Sequence, residues 1–290
     1  MGGIGNQMFQ YAAARRLAHI RNAPIKLDVN WFGNIENGNT SRKYELHAFT
    51  IKEDFALPGE VDGYKNVKTG AFSRTLKKLA GAVSPFNHST WIRERRFHFD
   101  PAILKLPDNV YLEGYWQSEK YFLDCEGIIR KEFTVRTEPG EKNRQIAEII
   151  KNTESVSVHV RRGDYVTNPT TSQYHGSCSM EYYREAVGRA VSQIQRPHFF
   201  VFSDEPDWVK ENLTLPFSVT YIDHNGTANA YEDMRLISLC KHHIIANSSF
   251  SWWGAWLCVN PDKLVFAPKK WFNKAGMNTA DLLPGSWHKI

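Results

Sequence analysis

Four polar clusters in the sequence have the residue types to work on an anion. Arg161 and Arg162 follow the apolar run 156–160 directly, and a glycine that permits a turn and then Asp164 come next. An arginine fork grips a phosphate bidentately, each charge-assisted hydrogen bond contributing roughly 1.5 to 3 kcal/mol, so an adjacent pair suits a diphosphate. The same residues would equally make an exposed turn in which Asp164 holds one arginine against the surface. Asn247-Ser248-Ser249 precedes the aromatic segment 250–256. Ser248 or Ser249 would cap that helix, whose first amides then face outward as an anion site. Gly2-Gly3-Ile4-Gly5-Asn6-Gln7 is a second glycine loop opening a helix, and its amides could also meet phosphate oxygens. Asp204 has a carboxylate that matches the ring and exocyclic N–H donors of a guanine, although Glu205, Pro206 and Asp207 beside it also suit a helix start. Glu232 and Asp233 divide between stabilising a helix dipole and contacting a ribose. His159, on a strand, reads first as a core histidine.

Other chemistries lack their residues. The N-terminal loop departs from GxGxxG, which weakens a nicotinamide reading, and no GxxxxGK[ST] occurs. His242 and His243 are adjacent, and neither HExxH, a Cys/His cluster nor a DxD-type pair supplies a metal site. A net charge of +5 is a mild surplus without the basic, aromatic-interleaved stripe of a nucleic-acid binder. Cys125, Cys178, Cys240 and Cys258 are scattered, as reduced thiols of a reducing compartment would be. No run approaches the ~20 apolar residues of a membrane span and no signal pattern opens the chain, so a cytoplasmic protein is expected. The sequon at Asn87 then carries little weight. The glycine loop follows Met1 with no strand ahead of it, which leaves room for a start upstream.

The elements that must position these clusters are clearest in the second half. Short β-rich runs at 156–160, 198–202, 218–222, 243–246 and 264–267 alternate with helical segments at 180–194, 206–213, 230–241 and 250–258. Such alternation indicates a parallel sheet wrapped on both faces, with ligands outside the carboxyl ends of its strands. The polar clusters at Arg161, Asp204, Asp223 and Asn247 all follow strands, so four strand ends converge on one site. The first half predicts a helix over 6–21 capped by Asn6, a strand over 24–29, a strand over 110–114 and helices over 118–133 and 143–151. Between residues 30 and 107 the pattern is weak, with one helix expected over 71–82. The tryptophans near 252–256 are expected in the core.

Taken together, the blocks Gly2 to Ala12, His159-Val160-Arg161-Arg162-Gly163-Asp164-Tyr165, Phe202-Ser203-Asp204, Glu232 to His242 and Ala246 to Trp256 resemble the bacterial α-1,2-fucosyltransferases of glycosyltransferase family 11. The order and spacing agree from the first residues to beyond Trp256. The resemblance implies an α/β, GT-B-like fold: two Rossmann-like domains facing a cleft, with residues 1–152 on the acceptor side and 153–290 binding GDP-fucose, the C-terminal tail packing back on the first. It implies metal-independent, inverting transfer of L-fucose from GDP-β-L-fucose to a galactoside hydroxyl, with no cofactor. The acceptor would belong to a surface polysaccharide, lipid-linked at a membrane face where the enzyme associates peripherally. By this likeness Arg161 engages the β-phosphate with Arg162 in support, His159 and Asp204 read guanine, and Gly5, Asn6 and Gln7 approach the diphosphate or fucose from the opposite domain. Fixed cations at the leaving group stabilise the transition state more than the ground state. Asp164 is the candidate base for the acceptor proton, or else orients Arg161. Arg161→Ala is expected to abolish transfer without lowering the melting temperature. A transferase using another nucleotide sugar and a non-catalytic carbohydrate-binding relative are the competing readings.

Overall fold

The structure is a computed structural model and describes residues 1–33, 42–65 and 91–290. The helix expected over 71–82 and the sequon at Asn87 lie outside the described residues. Helix α1 (Ile4–Arg21) opens the chain and is capped by the backbone at Gly3, not by Asn6, which sits inside the first turn. It is buried on nearly all sides, with Met8, Phe9 and Ala12 fully enclosed, so no single apolar stripe marks it. The segment 24–29 does not become a strand. Its ladder is a single bridge, Leu27 to Phe55, with Leu27 N–H donating to the Asp54 carbonyl at 2.7 Å and Ala56 N–H to the Leu27 carbonyl at 3.0 Å. Helix α2 (Pro58–Lys65) follows, and strands β1 (Trp91–Arg93) and β2 (Tyr111–Glu113) form a two-stranded parallel sheet.

The helix expected over 118–133 is broken. Two short 3₁₀ turns, Glu119–Tyr121 and Leu123–Cys125, precede α3 (Glu126–Glu132). The break falls at Phe122, whose φ of −146° and ψ of 7° leave the helical region. Its ring is fully buried and stacks on Trp253 at 5.3 Å between centroids. Tertiary packing of one ring overrides the local periodicity here.

Helix α4 (Glu141–Lys151) leads into the larger sheet, and the domain boundary expected between 152 and 153 lies in the turn before its first strand. That sheet comprises β3 (Glu154–Val160), β4 (Pro197–Ser203), β5 (Ser218–Ile222), β6 (His242–Ile244), β7 (Val265–Ala267) and β8 (His288–Lys289), in the order β5-β4-β3-β6-β7-β8, all parallel. The connecting helices are α5 (Gly163–Thr167), α6 (Pro169–Tyr174), α7 (Met180–Val191), α8 (Pro206–Asn212), α9 (Ala230–Leu239) and α10 (Ser249–Leu257). Strand β4 shows why both faces are covered. Phe199 and Val201 pack with α7 and α8, while Phe200 and Phe202 pack with α4 and α9. After β3 the chain runs to one side through β4 and β5, then returns to the other through β6 and β7. The order therefore reverses between β3 and β6, and a crevice opens outside their carboxyl ends.

The largest apolar cluster crosses the middle of the sequence. Ile4, Met8 and Phe9 of α1 pack with Trp252, Trp253 and Trp256 of α10 and with Trp271 and Trp287 of the tail. Ser118 Oγ donates to the Asp281 carbonyl at 2.6 Å and the tail then ends as β8 on the sheet edge, so it binds both halves. Among the described residues no helix is long and apolar enough to cross a membrane, and all four cysteines are free.

Candidate active site

The crevice at the β3–β6 reversal is a cavity of about 570 Å³, walled on the far side by the Gly2–Asn6 loop of the first half. At its centre stands Arg161. Its Nη2 lies 2.5 Å from Asp164 Oδ1 and its Nη1 lies 3.1 Å from Asp204 Oδ2. Burial works against the Arg161 charge, but Asp204 and Asp164 outweigh it and raise its pKa, so it stays a cation. Asp204 has a contact on each oxygen, since its Oδ1 also accepts from the Arg162 amide at 2.9 Å, and it lines the cavity. A Cβ on Gly163 would run into Asp204 Oδ2, so a larger residue at 163 would push the Asp204 carboxylate from its place. Asp164 is used on both oxygens as well, because Arg42 Nη2 of the first half lies 2.5 Å from Oδ2.

Arg162 does not share this position. Its Nε bonds Glu205 Oε2 at 2.9 Å and its guanidinium lies 3.4 Å from the Trp208 ring centroid, so the side chain lines the outer face and not the cavity. Successive side chains at a strand end point to opposite sides, and only one of two adjacent arginines can face the crevice.

His159 does face it. The ring is buried 5.3 Å from Phe250, its Nδ1 has no partner among the described residues, and burial with Arg161 nearby depresses its pKa to about 3, so it is neutral. Deeper along the same wall lies Asp233, whose carboxylate accepts from Asn225 Nδ2 at 2.7 Å. Burial pushes its pKa up to about 6, helped by Glu232 and opposed by the Asn225 bond. Asn225 is itself held by Asn143 of α4, at 2.8 Å.

The floor is built by two helix starts. Ser248 caps α10, its Oγ accepting from the Phe250 amide at 3.3 Å, and Ser249 is the first helical residue. Asn247 anchors this turn by donating to the carbonyls of His175, Gly176 and Trp271 at 3.1, 2.9 and 3.1 Å. Gly5 of α1 lies against it: a Cβ there would stand 2.5 Å from the Ser249 carbonyl carbon, and Trp253 Nε1 donates to the Gly5 carbonyl at 2.9 Å. Two helix N-termini from opposite halves thus meet beside Arg161, each adding a partial positive charge. Asn6 lines the cavity and accepts from Gln117 at 2.6 Å. Gln7 does not line it. It is buried and braces the chain, its Nε2 donating to the Gly2 and Lys43 carbonyls at 2.9 and 2.8 Å and its Oε1 accepting from the Glu45 amide at 2.9 Å. It faces instead a second cavity, about 390 Å³, between α1 and β2.

The structure thus brings together Gly5, Asn6, His159, Arg161, Asp164, Asp204, Ser248 and Ser249 of the residues singled out from sequence, and turns Arg162 and Gln7 away. It adds Arg42, Glu45, Gln117 and Tyr115 from the first half and promotes Asp233. Arg42 and Glu45 lie in a stretch without periodicity or motif, so no local signal marked them. Among the described residues no group of three or more His, Cys, Asp or Glu side chains converges as a metal site would.

The family model described as glycosyl transferase family 11 matches residues 81–290. An α-1,2-colitosyltransferase of Escherichia coli is 33% identical over 297 residues, covering 100% of this chain and 96% of that one. The O-antigen biosynthesis glycosyltransferase WbnK of Escherichia coli is 31% identical, covering 99% of this chain and 97% of its own. A human galactoside α-(1,2)-fucosyltransferase 1 is 28% identical over 88% of this chain and 63% of its own. Among solved structures, NodZ α-1,6-fucosyltransferase co-crystallised with GDP aligns with a TM-score of 0.47 at 15% identity, covering 91% of each chain. A family match over more than half the sequence, with relatives matched end to end, places this chain in glycosyltransferase family 11.

Proposed function

We propose that this chain transfers L-fucose from GDP-β-L-fucose to a hydroxyl of a galactoside acceptor with inversion, forming an α-1,2 linkage in surface polysaccharide synthesis. The observation that carries the reading is Arg161 fixed by two carboxylates at the strand-order reversal, beside two helix N-termini. In that place an anionic leaving group meets donors already oriented, so little reorganisation accompanies charge development. The C1–O bond breaks with its electron pair passing to the β-phosphate, and the acceptor oxygen bonds C1 from the opposite face while its proton passes to solvent water. Guanine recognition falls to Asp233 and neutral His159, because both oxygens of Asp204 are engaged by Arg161 and Arg162 N–H. Asp164, shared by two guanidiniums, orients Arg161; the role of base does not suit a carboxylate with both oxygens committed. Guanidiniums supply the leaving-group charge, so no metal or cofactor enters the reaction.

The similarity to an α-1,2-colitosyltransferase over the whole chain favours one second reading, in which the GDP-linked sugar is colitose, which lacks the fucose 3-hydroxyl. Both readings share the nucleotide and differ at the sugar pocket. The test is calorimetry with GDP and UDP, followed by transfer from GDP-fucose and GDP-colitose to galactose-terminated acceptors with linkage analysis, with and without EDTA. Binding of GDP over UDP and fucose transfer unaffected by EDTA is expected. Preference for UDP, or loss of transfer in EDTA restored by Mn²⁺, would refute the proposal. Arg161→Ala is expected to lose GDP binding and also to lower the melting temperature, correcting the expectation from sequence. It removes the cation that Asp164 and Asp204 share, leaving the first to Arg42 and the second to the Arg162 amide, with side chains only 13% and 16% exposed.

A further inference from the structure

We propose that Arg42 is the second cation on the donor's diphosphate, reaching the leaving group from the first half of the chain in the role the sequence suggests for Arg162. The inference rests on the nucleotide-donor reading above. Arg42 and Arg161 take one oxygen each of the same carboxylate, Asp164, at 2.5 Å, so the two guanidiniums lie side by side across the crevice.

Charge shows why one arginine is insufficient. Without Arg42 the ion-paired group at the crevice holds one guanidinium, Arg161, against two carboxylates, Asp164 and Asp204, and is net negative. A diphosphate would be repelled there. With Arg42 the group is neutral, and the two helix N-termini then tip the local field toward positive. Glu45, a further carboxyl beside this pair, has its pKa raised by burial, against the opposing pull of Arg42 and the Ile4 amide.

Geometry leaves Arg42 free to make the contact. Its guanidinium passes the glycine loop, with Nη1 3.7 Å from where a Cβ of Gly3 would stand, and its side chain lines the cavity and is 30% exposed. The bond to Asp164 uses one of its five N–H donors. Its backbone is anchored on the C-terminal side, where Gln7 bonds the Lys43 carbonyl and the Glu45 amide. Gln7 thereby becomes a positioning residue for Arg42. When the diphosphate enters, it displaces no proton; it accepts hydrogen bonds from Arg42 and Arg161, and both strengthen as the C1–O electron pair moves to the phosphate.

The experiment is calorimetry with GDP and with guanosine on wild type, Arg42→Gln, Arg42→Lys and Arg161→Gln, with each melting temperature recorded. Arg42→Gln is expected to weaken GDP about tenfold or more and leave guanosine unchanged, with Arg42→Lys, which keeps the charge but loses the fork, in between. The same loss is expected in an Asp164→Asn background, since the contact is direct. GDP affinity within twofold of wild type in Arg42→Gln would overturn the proposal while Arg161→Gln still loses binding. So would a loss that disappears in the Asp164→Asn background, which would mean that Arg42 acts only through the carboxylate. If wild type itself binds no GDP, or Arg161→Gln binds it normally, the donor reading fails and not this inference alone.

Discussion

Asp233 illustrates how a single residue sets function against stability. Its folded-state pKa of about 6 lies above the ordinary value of 3.8 because burial penalises the carboxylate. Between pH 4 and 6 the folded chain therefore holds a proton that the unfolded chain has released, and that advantage is lost as pH rises through 6. At pH 7 the ionised group costs on the order of 3 kcal/mol. Asp233→Asn should thus melt several degrees higher than wild type at pH 7, with the difference shrinking toward pH 4, while GDP affinity drops. A variant that binds GDP as tightly as wild type would remove Asp233 from the nucleotide pocket. In wild type, GDP affinity should also decline below pH 6, as the acid gains the proton that prevents it accepting two N–H donors.

At the scale of elements, the contact between α1 and α10 decides whether the two halves present one site. Gly5 is the point of closest approach, and a Cβ there would stand 2.5 Å and 2.7 Å from backbone atoms of Ser249 and Phe250, which cannot rotate away. Gly5→Ala should cost about 1–3 kcal/mol through overpacking and reduce transfer further by displacing the Gly2–Asn6 wall. Gly188 of α7 provides the control, since a Cβ there meets nothing within 4 Å. Gly188→Ala should stabilise by about 0.5–1 kcal/mol and leave activity unchanged. Thermal melts and initial rates of the pair check this, and equal behaviour of the two variants would show that the helix contact does not matter. The glycine loop was visible in the sequence as an anion-binding feature, but its second role, letting two helix starts touch, concerns residues more than 240 positions apart. The broken helix at Phe122 failed to show for the same reason: its ring answers to Phe9, Trp253 and Trp256, not to its neighbours in the chain.

Across the whole molecule, several histidines are buried neutral. Burial depresses His159 to about 3 and His175 to about 4, and holds His243 well below its ordinary value, with Ser157 Oγ 2.8 Å from its Nδ1. Unfolding releases each to a pKa near 6.5, so the unfolded chain takes up protons that the folded chain refuses. Stability therefore falls as pH drops below 6.5, by up to about 1.4 kcal/mol per pH unit for each such group. Asp233 works the other way between pH 6 and 4, as do Glu45, Glu94, Glu119 and Glu232, which burial also raises, against these three histidines and His198, His224 and His242, which burial also lowers. The melting temperature should rise steeply from pH 5 to 7, with net proton uptake on unfolding measurable by calorimetry in buffers of different ionisation enthalpy. A flat profile over that range would show the histidines to be solvated.

The sequence by itself determined the strand and helix alternation of the second half, the parallel sheet, and the strand ends where polar residues gather, because these depend on local periodicity and on turns a few residues long. It also determined that Arg161, Asp164, Asp204 and the Ser248-Ser249 turn belong to one site. Only the tertiary structure decided which of two adjacent arginines faces the crevice, that Asp204 is ion-paired to Arg161 while Asp233 lines the same cavity, and that Arg42 joins the cluster from 122 positions away. The direction of a side chain at a strand end, and the pairing of charges across a cleft, depend on neighbours brought together by packing, and no window along the chain contains them.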